Sequence, residues 1–218
     1  AYNRTDVRII GVSAGVSYGP LGCTHTTMHD FASMRALPNL TILAPCDAVQ
    51  TEYLTDLLCQ FTGPVYMRMG RGDVPPVYEA GEKFEIGKIK TVCEGTDATI
   101  IACGEMVAPA KKAAELLQAE GISVRVLDCF TIQPMDTKTV EKALRETRAV
   151  VTVEEHSTRG GLGEAVSHIA AELRGSAPMR LLGLPEEVVI GKSQELFAYY
   201  GLTPEGISAA IKERLERE

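Results

Sequence analysis

Short continuous apolar runs alternate with helix-period segments along almost the whole chain. The runs Val7–Val12, Thr41–Ala44, Val65–Arg68, Ala98–Cys103, Ser123–Cys129, Val150–Glu154 and Met179–Leu182 are mostly β-branched or aliphatic and are bounded by Gly, Pro or Asp. Such runs suit strands covered on both faces. Between them the helical segments carry recognisable ends. Thr26 or Thr27 is placed to cap a helix through Ala36, with Met28, Phe31, Met34 and Leu37 as its apolar side. Asp47 caps Ala48–Gln60, which Gly63-Pro64 stops. Pro109 falls in the first turn of a helix running to Gly121, where its missing N–H costs nothing. Asp136 caps Thr137–Thr147, Gly163 opens a helix to Arg174, and Thr203-Pro204 starts the last one.

This alternation predicts open, largely parallel α/β sheets with right-handed crossovers. The 218 residues suit two modest α/β units. The boundary is expected in a segment containing Val-Pro-Pro-Val-Tyr and a charged stretch of weak periodicity. That gives a partial unit over residues 1–73, a linker over 74–92 and a complete small unit over 93–218. The chain enters its first apolar run after only AYNRTD. An interior parallel strand needs neighbours on both sides, so an upstream stretch or a second polypeptide is expected beside it.

Charge and cysteine usage narrow the class. A formal charge of −7 gives no general attraction for polyphosphate, which argues against nucleic acid as the main partner. Six cysteines lie at 23, 46, 59, 93, 103 and 129, none spaced as CxxC and several inside apolar runs. They read as reduced, mostly buried thiols of a cytoplasmic protein. No apolar run approaches the roughly 20 residues that span a bilayer, so a membrane is not expected.

Three segments could carry chemistry. The glycine-containing stretch Gly15–Thr27 follows the first strand and includes His25. Loops at that edge of an open α/β sheet are where ligands bind, and His25 could donate a hydrogen bond or shuttle a proton, or could be incidental in a surface loop. His25 and His29 are four apart, but no Glu follows the first of them, so the zinc-hydrolase motif is absent and a metal site is not expected. In Tyr66–Asp73 two arginines, Arg68 and Arg71, leave the end of a strand; they suit a phosphate or carboxylate, or salt bridges at a domain boundary. In Thr158–Ala165 a glycine loop opens a helix, but Val166 stands where a dinucleotide fingerprint needs glycine and no P-loop lysine is present. Close strand–helix packing explains it better. Glu154-Glu155-His156 could form an acid–base group, but reads more simply as a solvated strand end.

Taken together, VRIIGVSAGVSYGPLGCTHTTMHDFASMRALPNLTILAPCDAVQTE, GPVYMRMGRG, SVRVLDCFTIQPMD, AVVTVEEHSTRGGLGEAV and GKSQELFAYYGLTPEGI resemble the transketolase family, in order and spacing, over nearly the whole chain. The resemblance implies the end of a pyrimidine-binding domain followed by the family's C-terminal domain. It implies transfer of a two-carbon ketol unit between sugar phosphates with thiamin diphosphate and Mg2+. His25, matching the histidine of the family's Gly-x-Thr-His segment, would hydrogen-bond the substrate oxygen at the reacting end. Arg71 would grip the substrate phosphate, with Arg68 a weaker candidate for the same task.

Two departures bear on the substrate. Leu21 stands where the family usually has an acid, and Ser13 where it often has a second histidine. The family's Gly-Asp-Gly…Asn motif for diphosphate and metal does not occur in this chain. The resemblance therefore implies an N-terminal transketolase subunit or domain as partner, in a dimer or a dimer of heterodimers, and a chain inactive alone. A deoxyxylulose phosphate synthase, the beta subunit of a 2-oxo acid dehydrogenase decarboxylase, and a non-catalytic assembly module are the competing expectations.

Overall fold

The computed structural model describes residues 1–216. It contains two mostly parallel sheets. The first has strand order β1-β3-β2-β7, built from β1 (Arg8–Val12), β2 (Thr41–Leu43), β3 (Val65–Met69) and β7 (Thr131–Gln133). The second has order β4-β6-β5-β8-β9, from β4 (Lys90–Cys93), β5 (Ala98–Ala102), β6 (Val124–Asp128), β8 (Ala149–Ser157) and β9 (Met179–Leu184). The helices are α1 (Asp30–Arg35), α2 (Ala48–Leu58), α3 (Val107–Ala119), α4 (Thr137–Glu146), α5 (Leu162–Glu172), α6 (Ser193–Tyr199) and α7 (Pro204–Glu216).

Five of the seven apolar runs become interior strands, as their composition requires, whereas the first and last, expected to be like them, form the edge strands β1 and β9. Every residue of β5 and β8 is buried. Each large aliphatic side chain so enclosed stabilises the fold by roughly 1.5–3 kcal/mol before entropic costs. The caps form where the short acids predict them: Asp47 accepts from the Gln50 N–H and Asp136 from the Thr139 N–H.

Two strands escape the pattern. β4 pairs antiparallel with β6, and β7 pairs antiparallel with β2. Each is too short to show a period. β7 carries a piece of the later chain into the first sheet, so the two sheets are stitched together by backbone. The stretch expected as a linker also packs inward. Tyr78 and Phe84 are buried there, the Tyr78 hydroxyl donates to Asp128, and the backbone N–H groups of Val77 and Tyr78 donate to Asp47.

The helix expected from Thr26 or Thr27 starts instead at Asp30, with His29 before it. The Thr27 N–H is used on the Gly15 carbonyl and the Thr26 hydroxyl on the Gly22 carbonyl, so both threonines belong to the preceding loop. On its open side β1 meets no strand among the described residues, and Ile9, Ile10 and Val12 stay exposed.

Candidate functional site

β1 and β3 are parallel neighbours, so their C-terminal ends meet at one edge and deliver two loops to the same place. The first loop leaves β1 through Ser13, whose left-handed backbone (φ 69°) turns the chain out of the sheet. It then winds through a tight turn at Gly19–Thr24 that ends on His25. The second loop is Gly70-Arg71-Gly72-Asp73, directly after β3.

Residues far along the sequence hold both loops. The Val16 N–H donates to the Glu155 carboxylate (2.8 Å), and the Ser193 hydroxyl donates to the Val16 carbonyl (3.0 Å). At Gly19 a side chain would strike the Gly191 carbonyl and Leu196, so α6 packs directly on the loop backbone. The second loop is held by Glu105, from the turn after β5. Its carboxylate packs on the loop at Gly70 and Gly72; burial pushes its pKa up, and the nearby backbone N–H groups of Gly72 and Arg71 oppose that rise. A Cβ at Gly70 would occupy the position of the Glu105 carboxylate, which makes glycine necessary there.

At the surface the two loops converge through aromatic contacts. The Arg71 guanidinium lies over the Tyr18 ring, 4.0 Å from its centroid. The Tyr18 and His25 rings meet edge-on, with centroids 5.7 Å apart, and His25 Nδ1 lies 2.9 Å from the Thr24 hydroxyl. His25 and Arg71 are both exposed. A cleft of about 460 Å³ beside Arg71 is lined by Ser17, Asp73, Glu105, Ser193, Gln194 and Phe197 among others. The structure thus offers one cation and one imidazole, on pinned loops, facing open space. Tyr18 and Glu105 had no signal in the sequence, because nothing local says that a tyrosine lies between two loops or that Glu105 reaches back to Gly72.

Arg68 lies elsewhere. It is buried, paired with Asp30 (3.3 Å), stacked over Phe31 and donating to the Glu155 carbonyl (2.5 Å). Its strand position points it into the seam between the sheets, away from Arg71 and His25. His25 and His29 share no helix face, since neither lies within α1. Among the described residues no group of three or more His, Cys, Asp or Glu is arranged to hold a metal.

The reading of Glu154-Glu155-His156 as a solvated strand end fails: all three are almost completely buried. β8 continues to Ser157 beneath α1, and His156 stacks on Phe31. Burial pushes Glu154 up to about 7 and Glu155 up to about 8, and holds His156 down at about 4. The glycine loop serves packing, as expected. Glu154 accepts from the Leu162 and Gly163 N–H groups (2.7 Å each), so the chain's own carboxylate occupies the start of α5. The six cysteines are free, with Cys46, Cys103 and Cys129 buried and Cys23 and Cys59 exposed.

Two family models account for nearly the whole chain: "Transketolase, pyrimidine binding domain" matches residues 1–76, and "Transketolase, C-terminal domain" matches residues 87–207. The chain belongs to the transketolase family. One subunit of the apulose-4-phosphate transketolase of Phocaeicola vulgatus is 47% identical over 219 residues, a match covering 100% of this transketolase chain and 70% of that protein. A putative transketolase C-terminal section of Methanocaldococcus jannaschii is 39% identical, with 100% and 69% covered. Among solved structures, a split gene transketolase described as an inactive beta4 tetramer superposes with a TM-score of 0.88 at 38% identity, covering 99% of this chain and 68% of that one. This transketolase chain therefore corresponds to the C-terminal portion of a split transketolase.

Thiamin diphosphate is the family's cofactor, and a pyrimidine-binding domain suits it. The residues present do not fit its diphosphate end. That end needs a metal and a cradle of donors. The described residues group no metal ligands, and the α5 N-terminus, the cradle the glycine loop could have supplied, is taken by Glu154.

Proposed function

We propose that this chain is the C-terminal subunit of a thiamin-diphosphate-dependent transketolase that moves a two-carbon ketol unit between sugar phosphates. Its partner, an N-terminal subunit, holds the diphosphate and Mg2+. Ketol transfer needs a carbon nucleophile, which thiamin diphosphate supplies. This chain supplies the groups that meet the substrate. The observation that carries the reading is the convergence of Arg71 and His25 across Tyr18 at one sheet edge.

Arg71, whose planar guanidinium presents paired N–H donors, binds the substrate phosphate. His25 donates a hydrogen bond to the substrate oxygen at the reacting end and stabilises the charge that develops there. Arg68, fully engaged with Asp30 and Glu155, keeps β3 in register with the second sheet and takes no part in binding.

Leu21 and Ser13 shape the acceptor. Leu21 is 52% exposed four residues before His25, and presents an apolar surface where the resemblance expects a carboxylate. The substrate is therefore a sugar phosphate with fewer hydroxyl contacts at that point than the usual aldoses make. The name of the Phocaeicola vulgatus relative points to apulose 4-phosphate as the first compound to try.

Product analysis tests the reading. The complex of this chain with its N-terminal partner and thiamin diphosphate, given a ketose phosphate and an aldose, yields new carbon-chain lengths without carbon dioxide. Release of carbon dioxide from a 2-oxo acid as an obligate product would assign the chain to the synthase or decarboxylase class instead. A complete, cofactor-loaded complex with neither activity would leave an assembly module.

A further inference from the structure

Tyr18 has no part in the roles given above to His25 and Arg71, and the resemblance assigns it none. Yet its ring is the physical link between them. The Arg71 guanidinium carbon is 4.0 Å from the ring centroid, within the range where a cation is held by the aromatic quadrupole. The His25 ring is in edge contact with it at an interplanar angle of 61°.

The backbone that carries the ring is held from both sides. One residue earlier in the chain, the Ser193 hydroxyl also lies within reach of the Ser17 carbonyl (3.4 Å); two residues earlier, the Glu155 carboxylate and the Ser193 hydroxyl bind the Val16 backbone. On the other side, the buried Gly19 is pressed against Gly191 and Leu196, and the Tyr18 carbonyl accepts the Leu21 N–H (2.9 Å). Arg71 arrives from the other loop, whose backbone packs against the Glu105 carboxylate at Gly70 and Gly72. An exposed arginine side chain ordinarily samples many rotamers, and ordering it on binding costs affinity. A guanidinium already stacked on a ring carried by an anchored backbone has lost part of that freedom beforehand.

We propose that Tyr18 is the positioning residue of this site: its one ring seats the Arg71 guanidinium and the His25 imidazole together, so that the phosphate end and the reacting end of a substrate are measured against the same side chain. This rests on the transketolase reading above. Tyr18 acts through Arg71 and His25 and touches no reacting atom.

The test uses the complex of this chain with its partner and thiamin diphosphate, with D-erythrose 4-phosphate and D-erythrose as probe acceptors. Tyr18→Leu is expected to raise KM for the phosphorylated probe roughly two- to fivefold, the fold-change matching an exposed cation–π contact. KM for erythrose stays unchanged. Tyr18→Phe, which keeps the ring, behaves as wild type. In an Arg71→Ala background, Tyr18→Leu adds no further change in KM for the phosphorylated probe. In NMR spectra of the chain, the His25 ring signals move in Tyr18→Leu and stay in place in Tyr18→Phe. If leucine unfolds the loop, Tyr18→Met removes the ring at closer volume and is read the same way.

Two results would overturn the proposal, and they are distinguishable. If Arg71→Ala erases the preference for the phosphorylated probe while Tyr18→Leu leaves it intact, Arg71 binds phosphate without help from Tyr18. If Arg71→Ala leaves that preference untouched, the assignment of Arg71 itself falls, and the role of Tyr18 falls with it.

Discussion

Glu155 ties a buried proton to the loop that carries His25, and its replacement by glutamine gives a quantitative expectation. The side chain sits under that loop, with Oε1 accepting the Val16 N–H at 2.8 Å. Burial pushes its pKa up to about 8, while Arg68 pulls it down and Glu105 adds to the rise. Its ordinary value is 4.5. Over the interval between these values the native state binds more protons than the unfolded chain, so stability falls as pH rises. The stabilisation tied to this proton is complete below the ordinary value and is lost as pH passes through about 8. At about 1.4 kcal/mol per pH unit, the loss between about pH 6.5 and 9 comes to about 2 kcal/mol. His156 has the opposite sense: held at about 4 by burial, it stays neutral above 6.5 and destabilises only as pH falls toward that value. It is therefore silent across this window. Glu154, at about 7, titrates within it but is common to both proteins. Glu155→Gln keeps an oxygen for Val16 and removes the titration. Urea unfolding of wild type and variant over this range should give a stability difference that shifts by about 2 kcal/mol in the variant's favour as pH rises. A difference that stays flat would show that Glu155 is already ionised near neutrality, and the argument from burial would be refuted.

Other expectations follow from the same geometry. His25→Ala should lower kcat of the complex by roughly 10²–10⁴-fold with an unchanged melting temperature, since its ring is exposed and holds up no core. Leu21→Asp should shift kcat/KM toward acceptors with a hydroxyl next to the aldehyde, read by competing hydroxylated and deoxy acceptors in one mixture. Gly160→Ala puts a methyl group into Ala32 of α1 at a left-handed φ of 74°. It should cost about 2 kcal/mol or more, visible as a lower thermal midpoint in calorimetry.

The main strands were legible because their physical cause is local. A strand covered on both faces tends to be continuously apolar, and Ala98–Ala102 is read directly from that rule. Asp47 and Asp136 were legible as caps for a similar reason. β4, β7 and α6 are too short to carry a period of their own and exist because of what they pair or pack with. Glu154, Glu155 and His156 look like a polar strand end until α1 is laid over them. Their burial is a long-range fact, with His156 under Ala32 and Phe31, more than a hundred residues away in the chain. Tyr18 and Glu105 were missed on the same ground. His25 and Arg71 stood out through motif context, but only the parallel pairing of β1 with β3 explains why their loops reach the same edge.

Reconstitution bears most directly on the split-enzyme reading. This chain, its N-terminal partner and thiamin diphosphate are mixed, and ketol transfer between a ketose phosphate and an aldose phosphate is followed by mass spectrometry. No turnover is expected with either chain alone, turnover with both, and a marked loss when either His25 or Arg71 in this chain is replaced by alanine. Full turnover by the partner without this chain, or by a complex carrying both replacements, would contradict it.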